Sequence, residues 1–292
     1  MSAGYGSVKA TATMATHEPT LQDYAARLER VHDYLSAHLD REVDLAQLAG
    51  VACFSPFHFH RIYHALQGET VAESVRRMRL HRAALDLIDG EVPIARIAAR
   101  AGYGSQAAFT RAFRSAYGAP PAAWQARRAG PYHGTVAVRV ADPIRLVALA
   151  HAGDYAGIGA TFERLNAIAI GRGWLADTTR YVGLYYDDPS VTPAADQRSD
   201  ACLTAPPGFT GEADLRPLTV AGGRYAVLLH VGPYAELHRA YTWLYREWLP
   251  VSGEDPADAP CVEEYLNNPR VVPPSALRTE IWLPLQPTAP TP

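Results

Sequence analysis

Residues 261–273, CVEEYLNNPRVVP, repeat residues 181–193, YVGLYYDDPSVTP, so that Val182, Tyr185, Pro189, Val191 and Pro193 recur as Val262, Tyr265, Pro269, Val271 and Pro273. One position breaks the likeness: Gly183 in the first copy is Glu263 in the second. In a strand, side chains alternate, which places Cys261, Glu263 and Tyr265 on one face and Val262, Glu264 and Leu266 on the other. Val262 and Leu266 form the natural core pair, so Glu263 is expected to look into a cleft. Tyr185, Tyr225, Tyr265 and Trp282 stand in the same strand-rich segments. Rings of this kind line small-molecule pockets and stack on cations. A carboxylate among them is partly desolvated and favours a cationic or hydrogen-bonding guest. No GxSxG and no nucleophile–base pair accompanies it, so no catalytic residue is assigned.

A second chemistry sits in the N-terminal half. Leu45, Leu48 and Ala49 recur as Ile94, Ile97 and Ala98; Ser55, Phe59, Arg61 and Tyr63 recur as Ser105, Phe109, Arg111 and Phe113. Each copy reads as a short helix, a turn, a serine suited to an N-cap and a second helix closed by Gly68 or Gly118. Phe59, Tyr63, Phe109 and Phe113 fall on the buried stripe. Phe57, His58, His60, Arg61 and His64 then point outward in one copy, and Gln106, Ala107, Thr110, Arg111 and Arg114 in the other. Arginine and glutamine carry the donor patterns that read guanine and adenine in the major groove. The segment 70–88, TVAESVRRMRLHRAALDLI, is long enough to join the two units as one rigid helix. It would set their spacing near one DNA turn, roughly 34 Å, with its arginines expected near phosphate.

Charge is divided in the same way. Residues 45–128 hold 11 arginines against five acids, whereas residues 130–292 hold 12 against 18. Only the first half suits a polyanion. Cys53, Cys202 and Cys261 are isolated, and His60 with His64 lacks a third ligand, so neither metal nor cofactor is expected. No apolar run approaches the ~20 residues of a membrane span, and the small, polar first 20 residues read as a disordered tail. A cytoplasmic protein without membrane partners is expected.

The stretch GYGSQAAFTRAFRSAYGAPPAAW resembles the signature of AraC/XylS transcription regulators, over about residues 21–128. The resemblance implies double-stranded DNA as partner, read in two successive major grooves, with base contacts at Phe57, His60, Arg61, Gln106, Ala107 and Arg111. It also makes RNA polymerase a candidate partner. Where that family often has an arginine, Gln125 stands, with Arg127 and Arg128 beside it to contact the backbone instead. Beyond a Gly/Pro-rich linker at 129–137, RLVALAHAGDY (145–155) returns as RYAVLLHVGPY (224–234), each leading into an amphipathic helix, a strand, a DDP or NNP turn and a last strand. This half, 138–286, with a short tail at 287–292, resembles the GyrI-like, effector-binding domain of drug-sensing regulators. By position the ligand-contacting glutamate of that family falls on Glu263, with Tyr265 and Trp282 nearby. The expected fold is therefore multi-domain: an all-α double helix-turn-helix domain followed by an α+β domain of two β-α-β-β repeats. Its helices should cover one sheet face and leave the other as the cleft. The expected function is a DNA-binding regulator sensing a small aromatic or cationic lipophilic effector. A GyrI-like hydrolase of reactive small molecules, fused to a DNA-binding domain, is the alternative.

Overall fold

The computed structural model describes residues 18–127 and 130–287. The expected tails, apart from residues 18–20 and 287, lie outside the described residues, as does Arg128. Seven helices form the described part of the N-terminal half: α1 (Glu18–Ala37), α2 (Leu45–Val51), α3 (Pro56–Gln67), α4 (Val71–Asp89), α5 (Ile94–Arg100), α6 (Gln106–Tyr117) and α7 (Pro121–Ala126). Helix α1 starts within the segment read as tail. The pairs α2–α3 and α5–α6 are the two repeats. Gly68 and Gly118 close α3 and α6 at φ 72° and 74°, where a Cβ is disfavoured. Ser105 caps α6 through the Ala108 N–H, whereas Ser55 precedes α3 without a side-chain bond. Helix α4 starts at a capping box formed by Thr70 and Glu73.

Helix α4 is the shared spine. Val71 and Val75 join Phe59, Tyr63, Leu48 and Leu28 in one core. Leu80, Ala84 and Leu87 join Phe109, Phe113, Ile97 and Trp124 in the other. Its 19 residues span about 28 Å. The α4 arginines do not all face outward as expected. Arg79 donates to the Leu39 and Arg41 carbonyls, Arg82 pairs with Asp40, and Arg77 pairs with Glu69. Backbone carbonyls in the turn after α1 and nearby acids take up their donors.

The C-terminal half contains one eight-stranded antiparallel sheet, in the order β1-β6-β8-β7-β3-β4-β2-β5. The strands are β1 (Val136–Ala141), β2 (Ile144–Ala152), β3 (Tyr181–Tyr185), β4 (Arg198–Thr204), β5 (Leu215–Val220), β6 (Gly223–Val231), β7 (Cys261–Tyr265) and β8 (Arg278–Pro284). The two β-α-β-β repeats are β2-α8-β3-β4 and β6-α9-β7-β8, where α8 is Ile158–Gly171 and α9 is Leu237–Trp243. They meet at the central β3·β7 pair. A π-turn at Leu244–Trp248 and a short α10 (Leu249–Ser252) continue α9.

Strands β1 and β5 lie outside the repeat, and β1 begins within the expected linker. Each crosses to the other repeat: β1 pairs with β6, and β5 with β2. Only Asp142 and Pro143 separate β1 from β2, yet the two stand six strand positions apart. In a flat sheet that separation is about 29 Å, while three Cα steps reach about 11 Å. The sheet must therefore curl until its edges approach. Its inner face holds Leu146, Val182, Leu184, Val227 and Val262. The outer face packs Leu149, Ala201 and Leu203 under α8, and Leu228, Ile281 and Leu283 under α9.

Candidate functional site

In both helix-turn-helix units the expected DNA-reading side chains stand free of the cores. Phe57 is 87% exposed. His60, Arg61, Gln106, Ala107 and Arg111 are all exposed, and Phe59, Tyr63, Phe109 and Phe113 are buried. The burial pattern of α3 recurs almost position for position in α6 because both use the same stripe of two aromatics four residues apart. Arg127 stacks on Trp124 and approaches Glu236 at 3.9 Å.

The β3·β7 pair sets Gly183 directly opposite Glu263. Both face outward, toward the helices. That corrects the expected geometry: the Glu263 face is the face the helices cover, while Val262 lies on the inner face and Leu266, beyond the strand end, is exposed. Glu263 is 4% exposed and accepts a hydrogen bond from the Tyr265 hydroxyl at 2.9 Å. The Tyr265 and Tyr185 hydroxyls are 2.7 Å apart. Both lie over Gly183, where an added Cβ would come within 2.8 Å of the Tyr265 oxygen and of a Tyr185 ring carbon. The glycine of the first copy thus makes room for the two phenols that face the glutamate of the second.

Two further tyrosines complete the chamber with pseudo-symmetry. Tyr155 meets Tyr185 edge-on at 4.9 Å, and its repeat mate Tyr234 meets Tyr265 at 5.3 Å. Phe162 of α8 closes on Tyr265 from another side, also at 5.3 Å. The buried Tyr241 hydroxyl of α9 lies beside the carboxylate without a well-formed hydrogen bond. Burial raises the Glu263 pKa to about 7, against the opposing pull of the Tyr265, Tyr241 and Tyr185 hydroxyls. No cation pairs with Glu263 among the described residues. An ionised Glu263 would therefore have only phenol dipoles to offset it.

Tyr225 and Trp282, expected beside Glu263, lie on the opposite face. Pleating puts them there: each shares the inner face with Val227 and Val262. They line an open cleft of about 490 Å³ with Arg139 and Arg180. Each of these arginines has its own carboxylate. Arg180 grips Glu264 in a fork of 2.6 and 2.7 Å, and Arg139 reaches Glu280 at 2.5 Å. Both guanidinium groups also lie over the Trp282 ring, at 5.4 and 5.6 Å. The expected ligand set therefore divides: Tyr185 and Tyr265 join Glu263, and Tyr225 and Trp282 do not. The tyrosines missed from sequence, Tyr155 and Tyr234, were marked by the repeat itself. Phe162 and Tyr241 had no signal beyond an amphipathic helix. No cluster of three or more His, Cys, Asp or Glu that could hold a metal occurs among the described residues, and no described helix is long and apolar enough to cross a membrane.

Comparison with known proteins divides the chain in the same way. Residues 48–127 match the helix-turn-helix domain family, and residues 135–286 match the family described as the GyrI-like small molecule binding domain. YbfP of Bacillus subtilis, described as an uncharacterized HTH-type transcriptional regulator, is 34% identical over 102 residues, 35% of each chain. YgiV of Escherichia coli K12, a probable transcriptional regulator, is 33% identical over 104 residues, 35% of this chain and 65% of its own. The right origin-binding protein of the same strain is 30% identical over 124 residues, 42% of this chain and 41% of its own. These matches span from about a third to just under two thirds of the relatives' lengths. With an AraC-type helix-turn-helix half ahead of it, the sheet half makes this chain a member of the GyrI-like small molecule binding domain family.

Proposed function

We propose that the chain is a DNA-binding transcription regulator whose helix-side chamber senses a small lipophilic, aromatic or cationic effector. The observation that carries this reading is Glu263, a carboxylate buried under tyrosines with no cationic partner among the described residues. A cationic guest would supply the missing charge, and the rings would supply its apolar contacts. The two exposed tips, Phe57–His60–Arg61 and Gln106–Ala107–Arg111, supply the second half of the reading, as contacts to successive major grooves. RNA polymerase and a cytoplasmic location accompany a regulator of this kind.

Two measurements test it. Arg61→Ala with Arg111→Ala should weaken binding to the cognate promoter by about 1–3 kcal/mol per lost bidentate contact. Unchanged promoter affinity in the double variant would refute the groove assignment. Tetraphenylphosphonium should raise the melting temperature of the wild type and leave that of Glu263→Gln unmoved. A pKa near 7 also suits a general acid or base, which keeps the hydrolase reading in view. Turnover of a reactive ester, lost in Glu263→Gln, would favour that alternative over sensing.

A further inference from the structure

Elements that frame the Glu263 chamber also carry the contacts to the other half of the molecule. These are α8 and the turn at Tyr234–Glu236, on which the DNA-binding half docks. Helix α1 lies along α8 so closely that a Cβ on Gly171 would meet Ala25 at 2.8 Å and the Gln22 backbone at 3.1 Å. Ala235 is buried within the second helix-turn-helix core, in one cluster with Leu80, Ala84 and Trp124.

Between these contacts lies a group of four charges. Glu69 and Arg77 come from the turn after α3 and from α4. Glu163 comes from α8, and Arg270 from the NNP turn after β7. Arg77 reaches Glu69 at 2.6 Å and Glu163 at 3.0 Å; Arg270 reaches Glu69 at 3.4 Å and bonds directly to Glu163. Their side chains are between 6% and 23% exposed, and two cations balance two anions. Glu163 is the neighbour of Phe162, whose ring packs on Tyr265, and Arg270 lies five residues beyond Tyr265. Arg77 is near enough to influence the Tyr234 hydroxyl. From Glu69 the contacts continue to the first reading helix: Glu69 accepts from Ser74, and Ser74 from Tyr63 of α3.

We propose that the DNA-binding half is the roof of the Glu263 chamber, held down by the Glu69–Arg77–Glu163–Arg270 cluster, so that an effector enters only as the two halves part. This rests on the reading of that chamber as the effector site. The phenols of Tyr185 and Tyr265 occupy the space over Gly183, so a guest seated there beside Glu263 must displace them. Moving them outward presses on Phe162, Tyr234 and the charges behind them. Effector binding and docking thus compete for one volume, and by linkage each weakens the other by the same factor. The repeat carries the device in one copy only: Arg270 occupies the position of Ser190 in the first NNP-type turn.

The test uses the full chain with Glu163→Gln, which leaves Arg77 and Arg270 to share Glu69. Hydrogen exchange without any ligand reports the roof. The amides of α1 and α4, and those of Tyr234–Ala240 beside the chamber, should exchange at least roughly tenfold faster than in the wild type. If α1 and α4 loosen while Tyr234–Ala240 keeps its wild-type rate, or if nothing loosens, the roof is refuted. Arg270→Gln, which keeps the Arg77–Glu163 pair, is the milder variant should Glu163→Gln not fold. Fluorescence anisotropy with rhodamine 6G, an aromatic cation, then separates the two readings. Faster and tighter binding in Glu163→Gln, abolished by adding Glu263→Gln, supports both. Loss of binding in Glu263→Gln with no gain in Glu163→Gln leaves the effector site standing and overturns the roof. Loosened exchange with no rhodamine binding in any variant keeps the roof and removes the aromatic-cation site.

Discussion

Replacing Glu263 by glutamine should make the ligand-free protein more stable at pH 8, although it removes a charged residue that accepts a hydrogen bond. The carboxyl titrates at 4.5 when unperturbed and at about 7 in the fold, because burial disfavours the charged form. Below pH 4.5 both folded and unfolded chains carry the proton, and the group costs nothing. As pH rises toward 7 the unfolded chain loses its proton first, so stability falls; above 7 the loss is complete. At about 1.4 kcal/mol for each tenfold change in proton affinity, the loss is about 3 kcal/mol. Glutamine has the same shape and still accepts the Tyr265 hydroxyl through its amide oxygen, without the charge. Calorimetry should place Glu263→Gln about 6–12 °C above the wild type at pH 8, with the two converging near pH 4. A variant no more stable than the wild type at pH 8 would refute the reasoning. It would mean that the phenols fully compensate the carboxylate, leaving no unmet demand for a cation.

Gly183→Ala should destabilise the sheet half by about 1–3 kcal/mol, since its Cβ displaces two phenols; urea titration would measure this, and a neutral result would show that the chamber has slack. His32 gives a pH dependence of opposite sign to that of Glu263. It is buried near Glu163 with neither ring nitrogen hydrogen-bonded, and burial holds its pKa below 6.5. Below pH 6.5 the unfolded chain takes up the proton first, so this contribution falls with falling pH until the folded ring also protonates. In melting curves from pH 8 to 5, His32→Phe should lack that acid limb; if the limb persists, it belongs to another group.

The helical half was legible because its pattern is local. Two aromatics four residues apart, flanked by a capping serine and a terminal glycine, define a buried stripe and therefore an exposed tip. Glu263 was legible for a different reason: it is where a repeat fails to predict itself. The side of the sheet it faces was not. Val262 and Leu184 are as apolar on the inner face as Leu149 and Leu203 are on the outer. Alternation separates two faces but cannot name the one that receives the helices when both are buried. Tyr225 and Trp282 went astray for that reason. Strands β1 and β5 were missed because they fall outside the repeat, and the partner each takes is set by sheet curvature. Arg77 was expected near phosphate with the other α4 arginines because its partner Glu163 lies 86 residues away.

The crossed edge strands also bear on how the chain is made. β1 has no partner until β6 exists, about 90 residues later. At ribosomal rates of 5–20 residues per second, that is a wait of roughly 5–20 s. Through this interval Val136, Val138 and Val140 form a short apolar edge with unmet backbone groups, and Val140 remains 81% exposed even in the finished fold. Neither repeat can complete its sheet without a strand from the other, so separating them between β4 and β5 leaves each fragment with an open edge. The duplication therefore yields a single cooperative unit, and its cost falls on the nascent chain as a window for aggregation.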